Sequence, residues 1–183
     1  MPARPRRQGA FDGACGFYAV ANALSLVSPK TVSRDDFSVL LEVLAPDTGL
    51  PKQFFAGTRR NEVNRMLTAL VRNEKFADVS VYRPYWAGAH IGLRDYWVRL
   101  AEHFDNRSAA AIVKYAHEPS SASRYNHWTV VRGVTKSSLL LFDSDGAARI
   151  SRKRARLWDD LECHKGRPYA LDYTATFLLR SEG

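Results

Sequence analysis

Only two cysteines occur in the 183 residues, and one of them, Cys15, heads an apolar run in the stretch RRQGAFDGACGFYAVANAL. A free thiol, with a pKa near ~8.5, is mostly protonated at neutral pH, so a cysteine nucleophile needs its thiolate stabilised. A helix N-terminus does this through unpaired N–H groups and the macrodipole. Cys15 is placed for that, with Asp12-Gly13 before it to turn the chain and Gly16 after it to leave the approach open. Such chemistry also needs an imidazole to take the proton and a third group to orient it. Acyl transfer adds a need for donors to a developing oxyanion.

Each part has a candidate. Gln8, upstream of Cys15, can send its side-chain amide back beside the nucleophile's own N–H. His127 opens HWTVVRGV directly after the polar PSSASRYN, and Asp143 closes SLLLFD. If 127–134 and 138–143 pair as a hairpin around Thr135–Ser137, the ends carrying His127 and Asp143 become neighbours. Asp145 is an alternative orienter, although its place before Gly146 suits a turn. The competing reading makes Cys15 a small packing residue, His127 a strand-edge histidine and Asp143 a hairpin cap. Cys163-His164 are adjacent in sequence and so point apart, as a structural or exposed pair. His90, His103 and His117 have no ligand spacing, and neither CxxC nor HExxH is present, so no metal site and no cofactor is expected. Trp128 alternates with His127 and should face the core.

The elements that must hold these residues fall into two halves. Ala19, Val20, Ala23, Leu24 and Val27 predict a helix from Cys15 that stops at Ser28-Pro29. Ser33 with Asp36 reads as a capped start leading to Phe37, Leu40, Leu41 and Leu44. Thr58 reads as the cap of a third helix carrying Val63, Met66, Leu67, Leu70 and Val71. The stretch 79–86 is β-like but contains Pro84, which assigns it to an edge or a loop. A fourth helix is expected over 94–104, with Tyr96, Trp97, Leu100, Ala101 and Phe104 inward. Beyond it, 109–116 reads as a buried strand, 127–134 and 138–143 as a hairpin, 147–151 as a strand after the Asp145-Gly146 turn, and 171–180 as the closing strand. Helices followed by an antiparallel run predict an α+β fold. We expect a single domain over 1–183, with a helical lobe at about 8–105 that carries the Cys15 helix, packed on an antiparallel sheet lobe at about 109–180.

The order Gln8, DGACGFYAVANAL, NHWTVVRGV, LLLFDSDG resembles that of papain-like cysteine peptidases, above all the compact bacterial double-glycine leader peptidases. The resemblance implies a papain-like fold, with Gln8 as oxyanion donor, Cys15 as nucleophile, His127 as general base and acid, and Asp143 as orienter. It implies a thiol peptidase acting on a protein or peptide. Ser144 stands where that branch usually has Pro, and Gly16-Phe17 where plant-type papains often have Trp. DGACGFYAV is also similar to the signature of ovarian-tumour-type deubiquitinases, which would make the substrate an isopeptide on a ubiquitin-like protein. In that family the orienter commonly lies two residues after the His, where this chain has Thr129. HWTVVRGVTKSSLLLFD is similar as well to the His–Asp hairpin of transglutaminase-like acyl transferases.

Composition narrows the setting. A hydrophobic share of 45% with 25% charged residues is ordinary for a globular protein. No apolar run approaches the roughly 20 residues of a membrane-crossing helix. The basic start MPARPRRQGAF lacks the apolar core of a secretory signal, which points to the cytoplasm or to export without such a signal. A housekeeping peptidase, a processing enzyme and a bacterial effector all fit that setting. The net charge of +8 gathers at Arg4, Arg6 and Arg7 and at Arg149, Arg152, Lys153, Arg154 and Arg156. This suits an acidic partner, whether protein, nucleic acid or membrane surface. It also defines a rival from another class: a non-catalytic binding module of the same fold that uses the 149–156 segment as a basic face.

Overall fold

The computed structural model describes residues 4–7, 13–48, 57–86, 88–105, 108–120, 123–160 and 166–182. Gln8, Cys163 and His164 lie outside them. The first helix, α1 (Cys15–Val27), carries its apolar residues along nearly the whole circumference and is the most deeply buried. α2 (Arg34–Thr48) begins with the expected cap: the Ser33 N–H donates to Asp36 Oδ2 at 2.6 Å and the Asp36 N–H to Ser33 Oγ at 3.2 Å. α3 (Arg60–Val71) is capped differently from the expectation. Arg59 is its N-cap, its N–H donating to the Glu62 carboxylate at 2.5 Å, and Thr58 stands outside the helix with another task. α4 (Leu93–His103) buries Tyr96, Trp97 and Leu100 as expected; Ala101 and Phe104 are half-buried, Phe104 against the same core, and His103, not expected inward, is buried as well. His103 Nε2 reaches the carbonyl oxygens of Ala110 and Leu179, both at 3.0 Å, which accounts for a buried imidazole there.

The strands are β1 (Val79–Tyr82), β2 (Ala109–Ser120), β3 (Ser123–Val134), β4 (Ser138–Leu141), β5 (Arg149–Ser151), β6 (Ala155–Leu157) and β7 (Tyr169–Ser181). They form one sheet in the order β1-β7-β2-β3-β4-β5, with β6 beside β7. All pairs are antiparallel except β6 with β7. The α+β class expected from the sequence is therefore present. β1 lies at an edge and ends two residues before Pro84, as that proline requires. Two features depart from the expectation. β7 is last in the chain but lies inside the sheet, between β1 and β2, and the short parallel strand β6 has no counterpart in the sequence reading.

The sheet separates two cores because side chains alternate across it. Ala110, Ile112, Trp128, Val130, Ala175 and Phe177 pack with α1, α2 and α3 on one face. Ala111, Val113, Val131, Leu139, Leu171 and Leu178 pack with Tyr96, Trp97 and Leu100 of α4 on the other. The four helices among the described residues thus do not form one lobe laid on a sheet. Periodicity identifies the apolar face of α4 but not the sheet face that receives it. No helix among the described residues is long and apolar enough to cross a membrane.

Candidate active site

The site is assembled by the start of α1, the start of β3 and the chain just beyond β4. α1 begins after Ala14, whose carbonyl accepts the N–H groups of Phe17 at 2.9 Å and Tyr18 at 3.2 Å. Ala14, the N-cap, has no side chain that could cap this end, and no acidic residue lies in the first turn of the helix. The positive end of the helix favours negative charge at Cys15. Cys15 carries a free thiol and is only 7% exposed. Its sulfur lies 4.0 Å from the Gly13 carbonyl oxygen.

Gly16 has a tighter requirement than an open approach. A Cβ there would lie 2.6 Å from Thr58 Cβ and 2.7 Å from both Thr58 Cγ2 and Oγ1, so only glycine fits beneath Thr58. The Thr58 carbonyl in turn accepts the indole N–H of Trp128 at 2.8 Å. Thr58 therefore joins the neighbour of Cys15 to the neighbour of His127, and this task replaces the helix cap expected of it.

The hairpin expected around Thr135–Ser137 closes with the Thr135 N–H donating to the Ser138 carbonyl at 2.8 Å. Its register pairs Val134 with Leu139 and Val131 with Leu141, and the Phe142 N–H continues the ladder to Val130 at 2.8 Å. Asp143 is thus carried alongside the start of β3. His127 Nε2–H donates to Asp143 Oδ2 at 3.0 Å, and both residues are buried. The other carboxylate oxygen, Oδ1, accepts the Asp145 N–H at 2.7 Å. Asp145 itself is exposed, so it supports Asp143 through its backbone and is not the orienter. The buried Thr129 hydroxyl lies near the carboxylate without meeting hydrogen-bond geometry, yet it favours the charged form.

With Nε2 on Asp143, Nδ1 is the nitrogen left for Cys15, and the Tyr125 hydroxyl also approaches it at 3.1 Å. Burial alone would pull the His127 pKa down. Hydrogen bonds to Asp143 and Cys15, and the negative charge of both, override burial and raise it to about 9. For Asp143 burial works upward, but the bond and charge of His127, with the Asp145 N–H, hold its carboxyl below the usual range. Three of the four residues singled out by sequence are therefore brought together, and Gln8 lies outside the described residues.

The segment just before Gln8 is held against α1. The buried Asn22 amide pairs with the Arg6 backbone in both directions, accepting from its N–H at 2.8 Å and donating to its carbonyl at 3.2 Å. The Arg6 side chain donates to Ser25 Oγ at 3.1 Å and to the Val32 carbonyl. The Arg7 guanidinium lies against the turn after Asp143, since a Cβ on Gly146 would be 3.4 Å from its Nη1. Asn22 has no task in the sequence reading, and Tyr125 could line the cleft there but is not distinguished from an ordinary loop residue. For Tyr125 the available signal was its place two residues before His127, on the same side of the strand.

Within the basic segment 149–156, Arg149, Lys153 and Arg154 are exposed, Arg152 is half-buried and Arg156 is withdrawn from solvent. Arg152 lies over the Trp97 ring at 5.6 Å, Arg154 over the Tyr169 ring at 5.4 Å, and the buried Arg156 pairs with Glu118. Among the described residues, no three His, Cys, Asp or Glu side chains gather as a metal site. No protein-family model matches this chain, and no curated protein matches it.

Proposed function

We propose that the protein is a cysteine hydrolase of papain-like fold that cleaves a peptide, isopeptide or related amide bond through a thioester. The reading rests above all on one observation: a buried imidazole is bonded to Asp143 through Nε2 at 3.0 Å and lies close enough to the Cys15 sulfur for its pKa to be raised by it. A His127 pKa of about 9 keeps the imidazole protonated at neutral pH, and an imidazolium is the partner that a cysteine nucleophile needs.

In the proposed reaction the Cys15 sulfur attacks the substrate carbonyl carbon. The oxyanion is met by the Cys15 N–H, with Gln8 as the second donor. The C–N bond then breaks and the leaving nitrogen takes the proton from Nδ1. Water next gives a proton to Nδ1 and attacks the thioester, which releases the acid and restores the thiolate. Asp143 keeps Nε2–H fixed throughout, so the ring cannot turn its nitrogens over. The substrate class that follows is a protein or peptide carrying the amide.

A small activated ester tests this directly. Mixing the protein with p-nitrophenyl acetate should give a burst of p-nitrophenolate, one equivalent per chain, followed by slow turnover. The Cys15→Ala variant should give no burst. A full burst in Cys15→Ala would end the proposal.

A further inference from the structure

The imidazole carries one partner that the proposed chemistry does not use. Tyr125 lies two residues before His127 on β3, so both side chains leave the strand on the same side. The two rings are stacked, with centroids 5.6 Å apart and planes 20° apart, and the Tyr125 hydroxyl is 3.1 Å from Nδ1. Tyr115, opposite His127 on β2, closes another side edge-on at 5.5 Å. Between them the imidazole has no exposed surface, whereas Tyr125 itself is 45% exposed.

In acyl transfer the leaving nitrogen takes a proton from Nδ1, and the incoming acceptor later gives one to it. Both must come within hydrogen-bond reach of that nitrogen. The Tyr125 hydroxyl occupies this position. We infer that Tyr125 is the acceptor gate of the site: its phenol holds the place of the acyl acceptor, and water or an amine receives the acyl group only when the phenol swings off Nδ1. The inference rests on the cysteine hydrolase reading and adds to it the residue that controls the second half of the reaction. Tyr125 is 45% exposed, and exposed side chains change rotamer in picoseconds to nanoseconds. Deacylation then runs in balance: the acceptor loses its proton to Nδ1, its oxygen or nitrogen bonds to the thioester carbon, and the C–S bond breaks to return the thiolate.

The p-nitrophenyl acetate reaction separates the two halves. p-Nitrophenolate departs as an anion and takes no proton from Nδ1; that proton passes to solvent once the thiolate has been acylated, and deacylation by water then needs Nδ1 free. The informative quantity is the ratio of the deacylation rate to the burst rate. Tyr125→Phe keeps the ring and removes the hydroxyl, and should raise that ratio about fivefold, the factor for one ordinary hydrogen bond that no longer has to break. Tyr125→Ala, with glycinamide added, should divert more of the acetyl group to acetylglycinamide than the wild-type protein does. An unchanged or lower ratio in Tyr125→Phe would overturn the gate while leaving the hydrolase reading intact. Absence of a Cys15-dependent burst in the wild-type protein would overturn both.

Discussion

The Asp143 carboxylate receives the Nε2–H of His127 at 3.0 Å, and neither side chain meets solvent. Burying two ionisable groups is costly unless their charges and remaining bonding positions are matched. Here the second carboxylate oxygen has the Asp145 N–H, and the second imidazole nitrogen has the thiol and the Tyr125 hydroxyl within reach. The pair therefore fixes the orientation of His127 as well as its charge.

Asp143→Asn separates those two effects. The amide oxygen can still accept Nε2–H but carries no charge, so the His127 pKa should drop from about 9 toward the ordinary 6.5. Iodoacetamide labelling of Cys15 at pH 6 should slow, because the proton's preference for His127 over the Cys15 sulfur falls tenfold with each pKa unit that the imidazole loses. The p-nitrophenyl acetate burst should be reduced but not abolished. A variant with wild-type labelling would show that the charge of Asp143 is not what sustains the imidazolium.

The same pair sets a pH dependence of stability. His127 holds its proton up to about 9 when folded, against 6.5 as its ordinary value. Its contribution is therefore complete below about 6.5 and is lost as pH rises through about 9. Asp143 works in the opposite direction: its folded pKa lies below 3.8, so its contribution is present above 3.8 and lost as pH falls through the lower folded value. Calorimetric unfolding from pH 4 to 10 should show wild-type stability declining from pH 6.5 to 9 by on the order of 3 kcal/mol relative to His127→Gln. Parallel curves for the two proteins would contradict the coupling.

Gly16 and Thr58 are expected to be dependent on each other. Gly16→Ala pushes a methyl group to 2.6 Å from Thr58 Cβ and should destabilise the fold by about 1–3 kcal/mol while slowing Cys15 labelling. Thr58→Gly removes the obstructing atoms, so the double variant should recover part of both losses. Additive losses across the double-mutant cycle would place the strain elsewhere.

Asn22→Ala tests whether the segment before Gln8 is held by α1. It leaves the Arg6 N–H and carbonyl without their amide partner and should cost about 1–3 kcal/mol in thermal unfolding. If Gln8 supplies an oxyanion donor, Gln8→Ala should slow acylation about 100-fold with unfolding unchanged. Asn22→Ala should also slow acylation, although its side chain belongs to α1 and not to the oxyanion site. Unaltered acylation in Asn22→Ala would separate the clamp from the chemistry.

Local pattern carried part of this arrangement well. The turn at Thr135–Ser137 brings the ends carrying His127 and Asp143 together, although the bulge between Val131 and Gly133, which shifts the register by one residue and puts Asp143 on the His127 side, is not written in the alternation. The Ser33–Asp36 cap and the inward residues Tyr96, Trp97 and Leu100 were legible for similar reasons. Features that depend on a distant partner were not. Thr58 has the composition of a helix cap, but its position is set by Gly16 and Trp128, which no local rule connects to it. α4 shows its apolar face without revealing that it packs on the opposite side of the sheet from α1, and β7 does not announce that it enters between β1 and β2. Tyr125 looks like a loop aromatic until its hydroxyl is found on Nδ1.

The most direct test of the central claim is the rate of Cys15 alkylation by iodoacetamide from pH 4 to 9, with Cys163 as the internal reference and His127→Ala as the control. A thiolate held by the imidazolium predicts rapid labelling of Cys15 well below pH 8, lost in His127→Ala. A Cys15 that labels no faster than Cys163, or just as fast without His127, would contradict it.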